Sequence, residues 1–191
     1  MVDPLARAAA PLRGLYSLSQ QLRSLLDWLG AAIGWLVLAM ALLTAVVVVL
    51  RYFFHIGSIA LQESVTYLHA AVFMLGAAYA AQRDEHVRVD IFYRHFSRRS
   101  QVVVNLIGTL VFLLPVMALL FFFSLDYVTA SWALGERSSD SGGLAFRYLL
   151  KTLLLLLPLL MLVHAAVLLI ESLLELTGWQ PVPSSAHEGM L

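Results

Sequence analysis

The sequence predicts an all-α integral membrane protein with four transmembrane helices. Of its 191 residues, 61% are apolar and only 13% are charged, and the mean hydropathy is +0.85. Soluble domains contain about one half apolar and about one quarter charged residues. Four runs without charge each have about 18 residues or more, which is enough to cross a hydrocarbon layer as a helix. The alternation with a period of two that marks a membrane β-barrel is absent.

The four runs lie within a predicted membrane domain, residues 28–176. Charged or polar residues bound each run. They cover residues 28–50, 64–82, 100–125 and 152–170. Each must be helical, because an isolated strand leaves its backbone groups unsatisfied in lipid. Pro115 and Pro158 lie inside the third and fourth runs, where the missing backbone hydrogen bond should kink the helix. Such kinks serve packing geometry or, as the alternative, a hinge.

Residues 1–27 place three arginines before an apolar run, as a signal peptide does. That run is longer than a signal sequence needs and no small-residue cleavage site follows it, so we expect a retained first span. Five leucines at helical spacing predict a short amphipathic helix on the membrane surface before this span. They are Leu15, Leu18, Leu22, Leu25 and Leu26. Disorder before Leu12 is an equally open alternative for the first residues.

The distribution of lysine and arginine predicts that both termini are cytoplasmic. Eight of the twelve basic residues lie in the N-terminal segment and in the loop between the second and third runs. The other four lie on the opposite side of the membrane, and basic residues favour the cytoplasmic side. The tail, residues 177–191, is then a flexible cytoplasmic segment.

The loop between the second and third runs is the most charged part of the chain. Residues 82–100 contain ten acidic, basic or histidine side chains, of which five are arginines. Val89, Phe92 and Phe96 fall on one helical face, which predicts an amphipathic interfacial helix whose arginines meet lipid headgroups. The arginines explain topology, but the three carboxylates of the loop contribute little to it. Their mixture with arginine indicates internal ion pairs or a protein partner.

A few ionisable residues lie at or within the runs. Glu63 opens the second run and has two interpretations: a partner of Arg147 or Lys151, or an exposed carboxylate at a helix N-terminus, where negative charge is favourable. His69 and His164 lie inside runs, where ionisable residues are rare. Their depths differ by roughly 10 Å at 1.5 Å per residue, which disfavours a haem held between them. We expect hydrogen-bonded packing histidines.

Several function classes lack their required residues. The four runs contain no Asp or Glu, and the chain contains no cysteine. A proton-coupled exporter or a motor channel normally has a carboxylate within the membrane. Hydrolase and nucleotide-binding motifs are also missing. We therefore expect no enzymatic activity, no cofactor, no metal and no nucleic acid, and we read the small residues of the spans as helix contacts. These are Gly30, Gly34, Gly76, Ala77 and Ala78.

Three features make the chain resemble the small permease (Q, DctQ-like) subunit of tripartite ATP-independent periplasmic (TRAP) transporters. Glu63 opens the second run. The segment LGAAYAAQRDEHVRVD, residues 75–90, leads from the membrane into the charged loop, and its HVRVD is the strongest single match. The loop GERSSDSGGLAFRYLLK, residues 135–151, resembles one branch of the family. The resemblance covers about residues 28–176.

The resemblance implies a non-catalytic partner in the bacterial inner membrane. In such systems a large permease (M) subunit binds substrate and sodium, and a periplasmic substrate-binding protein delivers an organic acid anion. The small subunit packs against the large one and widens its scaffold in the lipid bilayer. The residues expected to shape the structure or meet a partner are Glu63, Arg83, His86, Arg88, Asp90, Glu136, Arg147 and Lys151.

Two other functions stay open at this point. One is a self-sufficient small transporter or channel built as a homo-oligomer, which would need His69 or His164 as its ionisable group. The other is a haem-bearing membrane anchor of an oxidoreductase. The polar loop at residues 132–151 faces either a periplasmic partner or water.

Overall fold

The computed structural model of the protein describes residues 10–83 and 96–178, and these residues form helices and connecting loops without a strand. Four helical segments are long and apolar enough to cross a membrane, which confirms the predicted all-α membrane fold. The helices are α1 (Ala10–Phe53), α2 (Ile59–Gln82), α3 (Arg98–Gly108), α4 (Leu114–Leu134) and α5 (Arg147–Leu176). A π-helical turn, Thr109–Leu113, joins α3 to α4, so these two form the third segment.

Helix α1 differs from the prediction of a separate surface helix before the first span. It runs without interruption through both regions, because no proline follows Pro11 until the helix has ended. Ser19 and Leu26 are fully buried, and Arg23 binds Glu171 of α5. One face of the N-terminal part of α1 therefore packs against protein, whereas Leu15, Leu18 and Leu25 are exposed.

A short turn joins α1 to α2 and makes them antiparallel. His55 adopts a left-handed conformation with φ of 56°, and the Ile56 amide donates to the Leu50 carbonyl at 2.9 Å. Ser58 then caps α2, since its hydroxyl accepts from the Leu61 amide at 3.4 Å. A serine at this position satisfies one of the amides that a helix start leaves without a partner.

The proline of the third segment coincides with the π-helical turn. Pro115 lies in the first turn of α4, and the Leu114 amide donates to the Thr109 carbonyl five residues earlier. Proline has no amide hydrogen, and its ring collides with the carbonyl of the preceding turn. A wider turn just before the proline relieves that collision, and π-turns of this kind are uncommon local features of helices.

Helix α5 is the centre of the bundle. It contacts α1, α2, α3 and α4, and it holds more of the buried residues of the described chain than any other helix. Its buried residues are Leu153, Pro158, His164, Ala165, Val167, Ser172 and Leu174. Pro158 is fully enclosed, which supports a role in packing. Gly178, with φ of 72°, ends the helix, as glycine in this conformation commonly does.

The outer surface of the bundle is apolar. Trp35 of α1, Phe73 of α2 and Phe123 of α4 are 74%, 71% and 80% exposed, respectively. A soluble protein rarely exposes so extended an apolar surface, whereas lipid tails are a favourable surrounding for it. The described ends of the chain lie at one end of the bundle, because four crossings return it to the side from which it started.

One of the small residues predicted to permit close helix contact does so. A methyl group on Gly30 of α1 would lie 2.6 Å from Cγ of Tyr79 in α2, so no larger residue fits there. Gly76 meets Ile33 at an ordinary distance of 4.0 Å, and Gly34 has nothing within 4 Å. The predicted interfacial helix between the second and third spans, the HVRVD sequence and the tail from residue 179 lie outside the described residues.

Candidate functional site

Charged side chains gather in two groups, one at each end of the bundle. The Glu136 cluster consists of Glu63, Ser138, Glu136, Arg147 and Lys151, from α2, the α4–α5 loop and α5. The Arg23 cluster, at the end where the described chain begins and finishes, contains residues of α1, α2, α3 and α5. Its members are Arg23, Asp27, Gln82, Arg83, Arg98, Glu171 and Glu175.

The end of α4 places Glu136. Gly135 takes a left-handed conformation, and the Glu136 amide donates to the Ser131 carbonyl at 3.0 Å. This bond closes a helix C-terminus in the manner of a Schellman motif, which requires a residue that tolerates positive φ. The turn directs the Glu136 carboxylate back toward α4, where it accepts a hydrogen bond from the Ser131 hydroxyl at 2.7 Å.

Two cations of α5 bind this carboxylate. Lys151 donates to Oε2 of Glu136, and Arg147 lies 3.9 Å from Oε1. The hydrogen bond from Lys151, with that from Ser131 as the second cause, holds the pKa of Glu136 below its usual value. The Lys151 ammonium also lies 3.9 Å above the Tyr127 ring of α4, a favourable cation–π position. Glu136 thereby ties α4 to α5.

Aromatic residues extend the same contact between α4 and α5. The Trp132 indole donates to the Thr152 hydroxyl at 2.9 Å, and its ring lies 4.5 Å from that of Tyr148. Both aromatic residues thus keep their apolar rings together while the indole N–H is satisfied, which is the usual requirement for tryptophan at a protein contact.

Glu63 holds the α4–α5 loop against α2. Its Oε1 accepts a hydrogen bond from the Ser138 hydroxyl, and its Oε2 accepts one from the Leu144 amide at 2.6 Å. A methyl group on Gly143 would lie 2.8 Å from that Oε2, so glycine is what allows the close approach. The sequence suggested Arg147 or Lys151 as partners of Glu63, but the hydrogen bonds of Glu63 go to the loop while those two cations bind Glu136.

In the Arg23 cluster, a two-pronged ion pair joins α1 to α5. Nε and one terminal nitrogen of Arg23 donate to the two oxygens of Glu171 at 2.6 and 2.5 Å. Arg98 of α3 binds Glu175 in the same way at 2.5 and 2.9 Å. Arginine forms such parallel bonds with carboxylates because its donors have a matching planar geometry.

A second contact in this cluster joins α1 to α2. Oδ1 of Asp27 accepts from Gln82 at 3.1 Å and from Arg83 at 3.0 Å. The Gln82 amide also donates to the Arg23 carbonyl at 3.3 Å, and the Arg83 guanidinium lies 5.3 Å from the Tyr79 ring centre. The exit of α2 is therefore fixed to α1 by polar contacts.

Of the eight residues predicted from the sequence, the structure brings Glu136, Arg147 and Lys151 together, and Glu63 of α2 binds the loop that carries Glu136. Arg83 lies at the opposite end. The other three, His86, Arg88 and Asp90, lie outside the described residues.

Sequence reasoning missed Asp27, Glu171 and Glu175 as contact residues. Arg23 and Asp27 are four residues apart on α1, and Glu171 and Glu175 are four apart on α5. That spacing places each pair on one helix face, and it was the available signal for a charged contact between two spans.

The two intramembrane histidines have different surroundings. His69 is exposed on α2, whereas His164 is 6% exposed within the bundle. In residues 10–83 and 96–178 no group of three or more His, Asp or Glu side chains is placed to hold a metal ion. The two polar clusters instead fasten helices to one another, and such contacts favour one fixed arrangement of the four spans.

One comparison with known proteins finds a match. Residues 40–175 match the family model described as "Tripartite ATP-independent periplasmic transporters, DctQ component". The matched region includes the second part of the first span, from residue 40, and the three spans that follow, together with the whole Glu136 cluster. No curated protein and no solved structure shows a significant match to the chain.

Proposed function

The chain belongs to the DctQ component family of the tripartite ATP-independent periplasmic transporters, and we propose that it scaffolds the large permease subunit of such a system. That subunit would take up an organic acid anion, driven by sodium, after a periplasmic binding protein delivers it. The family is one of transporter components and not of enzymes, and this chain is its small, multi-pass membrane subunit.

The observation that carries the scaffold role is the fastening of the bundle at both ends. Glu136 and Glu63 tie α2, α4 and α5 together at one end, while Arg23 and Asp27 tie α1 to α5 and α2 at the other. A subunit that moved its own helices to alternate access would have to break these contacts in each cycle. A subunit that only supports a moving neighbour keeps them.

The membrane interior of the chain supports the same role. The four uncharged runs contain no Asp or Glu, and Asp126 lies directly after the third run. Carboxylates are the usual ion- and proton-coupling groups within membranes. Sodium coupling and recognition of an anionic substrate are therefore functions of another chain. We place both termini in the cytoplasm of a bacterium, with the Glu136 cluster on the periplasmic side of the inner membrane.

Reconstitution into proteoliposomes tests the proposal. The large subunit and the binding protein are assayed with and without this chain, under an inward sodium gradient, against a panel of labelled mono- and dicarboxylates. We expect sodium-dependent uptake of at least one of them only when all three proteins are present. Equal uptake without this chain, or uptake by this chain alone, would contradict the scaffold role.

A further inference from the structure

A line of exposed residues runs along the outer face of α2. Gln62, Thr66, His69 and Phe73 are all exposed, and their spacing of three and four residues places them on one side of the helix. We call them the α2 stripe. Helix α2 packs against α1 and α5, so the stripe points away from both neighbours and toward whatever surrounds the bundle.

Within the stripe, His69 places a polar ring at a depth where lipid is apolar. Counting from Glu63, which binds the loop at the membrane boundary, His69 lies six residues further along the span. At 1.5 Å per residue this is about 9 Å deeper. Hydrocarbon offers no hydrogen bond to an imidazole, so exposure to lipid leaves both of its ring nitrogens unsatisfied, at a cost in free energy.

Other exposed polar side chains of the spans form hydrogen bonds within their own helix. The Thr44 hydroxyl donates to the Met40 carbonyl at 2.7 Å, and the Thr66 hydroxyl donates to the Gln62 carbonyl at 3.3 Å. In the part of the chain that the structure describes, no hydrogen bond forms to the ring of His69 or to the side-chain amide of Gln62.

We propose that the α2 stripe is the surface that receives a transmembrane helix of the large permease subunit, and that this helix presents a hydrogen-bonding group to His69. Polar side chains hydrogen-bond across helices within membranes and stabilise their association. The proposal rests on the proposed function, because the family to which the chain belongs supplies a second membrane component as the occupant. Phe73, one turn deeper, adds an apolar contact below the polar one.

Site-specific photo-crosslinking tests the assignment in the complete complex. A benzophenone amino acid replaces Thr66 in one variant and Phe123 in the control. Both positions are exposed on the outer surface of the bundle, Thr66 on α2 and Phe123 on α4. Both variants are co-expressed with the large subunit and irradiated in membranes.

We expect the probe at position 66 to form an adduct with the large subunit, and the probe at position 123 to form at most a trace. Three outcomes overturn the surface assignment while leaving the proposed function intact. They are copurification without an adduct at position 66, an equal adduct at position 123, and an adduct at twice the 21.1 kDa mass of this chain. Absence of copurification with the unmodified chain instead overturns the proposed function.

A second variant pair measures the hydrogen bond. In the His69→Leu variant, the amount of large subunit that copurifies should fall by about three- to tenfold. This is the range expected for the loss of one interhelical hydrogen bond. Thr44→Val is the matched control, since Thr44 is exposed at a similar depth and bonds only to its own helix. An undiminished yield with His69→Leu would remove His69 from the contact.

Discussion

Glu136 is the residue that binds the largest number of different groups at its end of the bundle. Its carboxylate accepts hydrogen bonds from Ser131 of α4 and Lys151 of α5, and it forms an ion pair with Arg147 of α5. A carboxylate with these donors is favoured in its charged form, which is why the pKa of Glu136 is lowered. The same contacts make the stability of the bundle depend on pH.

The sign of that dependence follows from the lowered pKa. Glu136 binds a proton more readily in the unfolded chain, with a pKa near 4.5, than in the folded one, so its contribution is complete above that value. The contribution is lost as the pH falls through the lower pKa of the folded state. At pH 7, Glu136→Gln should therefore lower Tm in detergent, because the neutral amide binds Lys151 less well.

The measurement is the difference in Tm between the wild type and Glu136→Gln as a function of pH. We expect this difference to be constant near neutrality and to shrink below about pH 4.5. The other titrating groups are the same in both proteins, so their contributions to Tm cancel in this difference. A difference that grows toward acid pH would show that the carboxylate is not stabilised by its cationic neighbours.

Glu63 offers a second test at a single residue. Glu63→Ala removes the acceptor of both Ser138 and Leu144, so the α4–α5 loop should separate from α2. Trypsin should then cut after the exposed Arg137 several times faster than in the wild type. Gln62→Ala is the control, because the Gln62 side chain forms no hydrogen bond to the described residues of the loop. Equal cleavage rates in the two variants would mean that Glu63 does not hold the loop.

At the scale of helices, Gly30 determines how closely α1 and α2 approach. Gly30→Ala places a methyl group against the Tyr79 ring, and overpacking of this kind costs about 1–3 kcal/mol. Gly34→Ala, one turn further along the same helix, meets open space and should leave Tm unchanged or raise it, because alanine is the better helix former. The two variants are compared by thermal unfolding in detergent. An equal change of Tm in both would show that the contact with Tyr79 does not govern the effect.

The sequence was sufficient to locate the helices but not their ends or their partners. Runs without charge mark the hydrocarbon layer, and each of them lies inside one helical segment of the structure. The helices continue past those charges until a glycine in the left-handed conformation stops them, at Gly135 and Gly178. The partners of Glu63 lie 75 and 81 residues away, and no local pattern relates positions so distant.

At the scale of the whole molecule, the sequence predicts how the bundle is oriented in the membrane. The excess of arginine around the Arg23 cluster predicts that this end faces the cytoplasm. An alkaline phosphatase reporter fused after Gly142 should therefore be active outside the cytoplasm, whereas one fused after Arg94 should be inactive. Activity only from the fusion after Arg94 would reverse the orientation and with it the periplasmic position of the Glu136 cluster.

The features of the whole bundle agree with the proposed supporting role. Its helices are joined at both ends by polar contacts, the four uncharged runs contain no carboxylate, and most of the exposed surface along its spans is apolar. Under this proposal, the neighbour that the chain supports is the large permease subunit of the transporter.

Affinity purification of this chain in a mild detergent, followed by mass spectrometry of what elutes with it, tests that central claim most directly. We expect one much larger membrane protein to copurify in an amount equal to that of the chain, and the yield to survive size-exclusion chromatography. A stable homo-oligomer without that protein, active in transport after reconstitution on its own, would contradict the account.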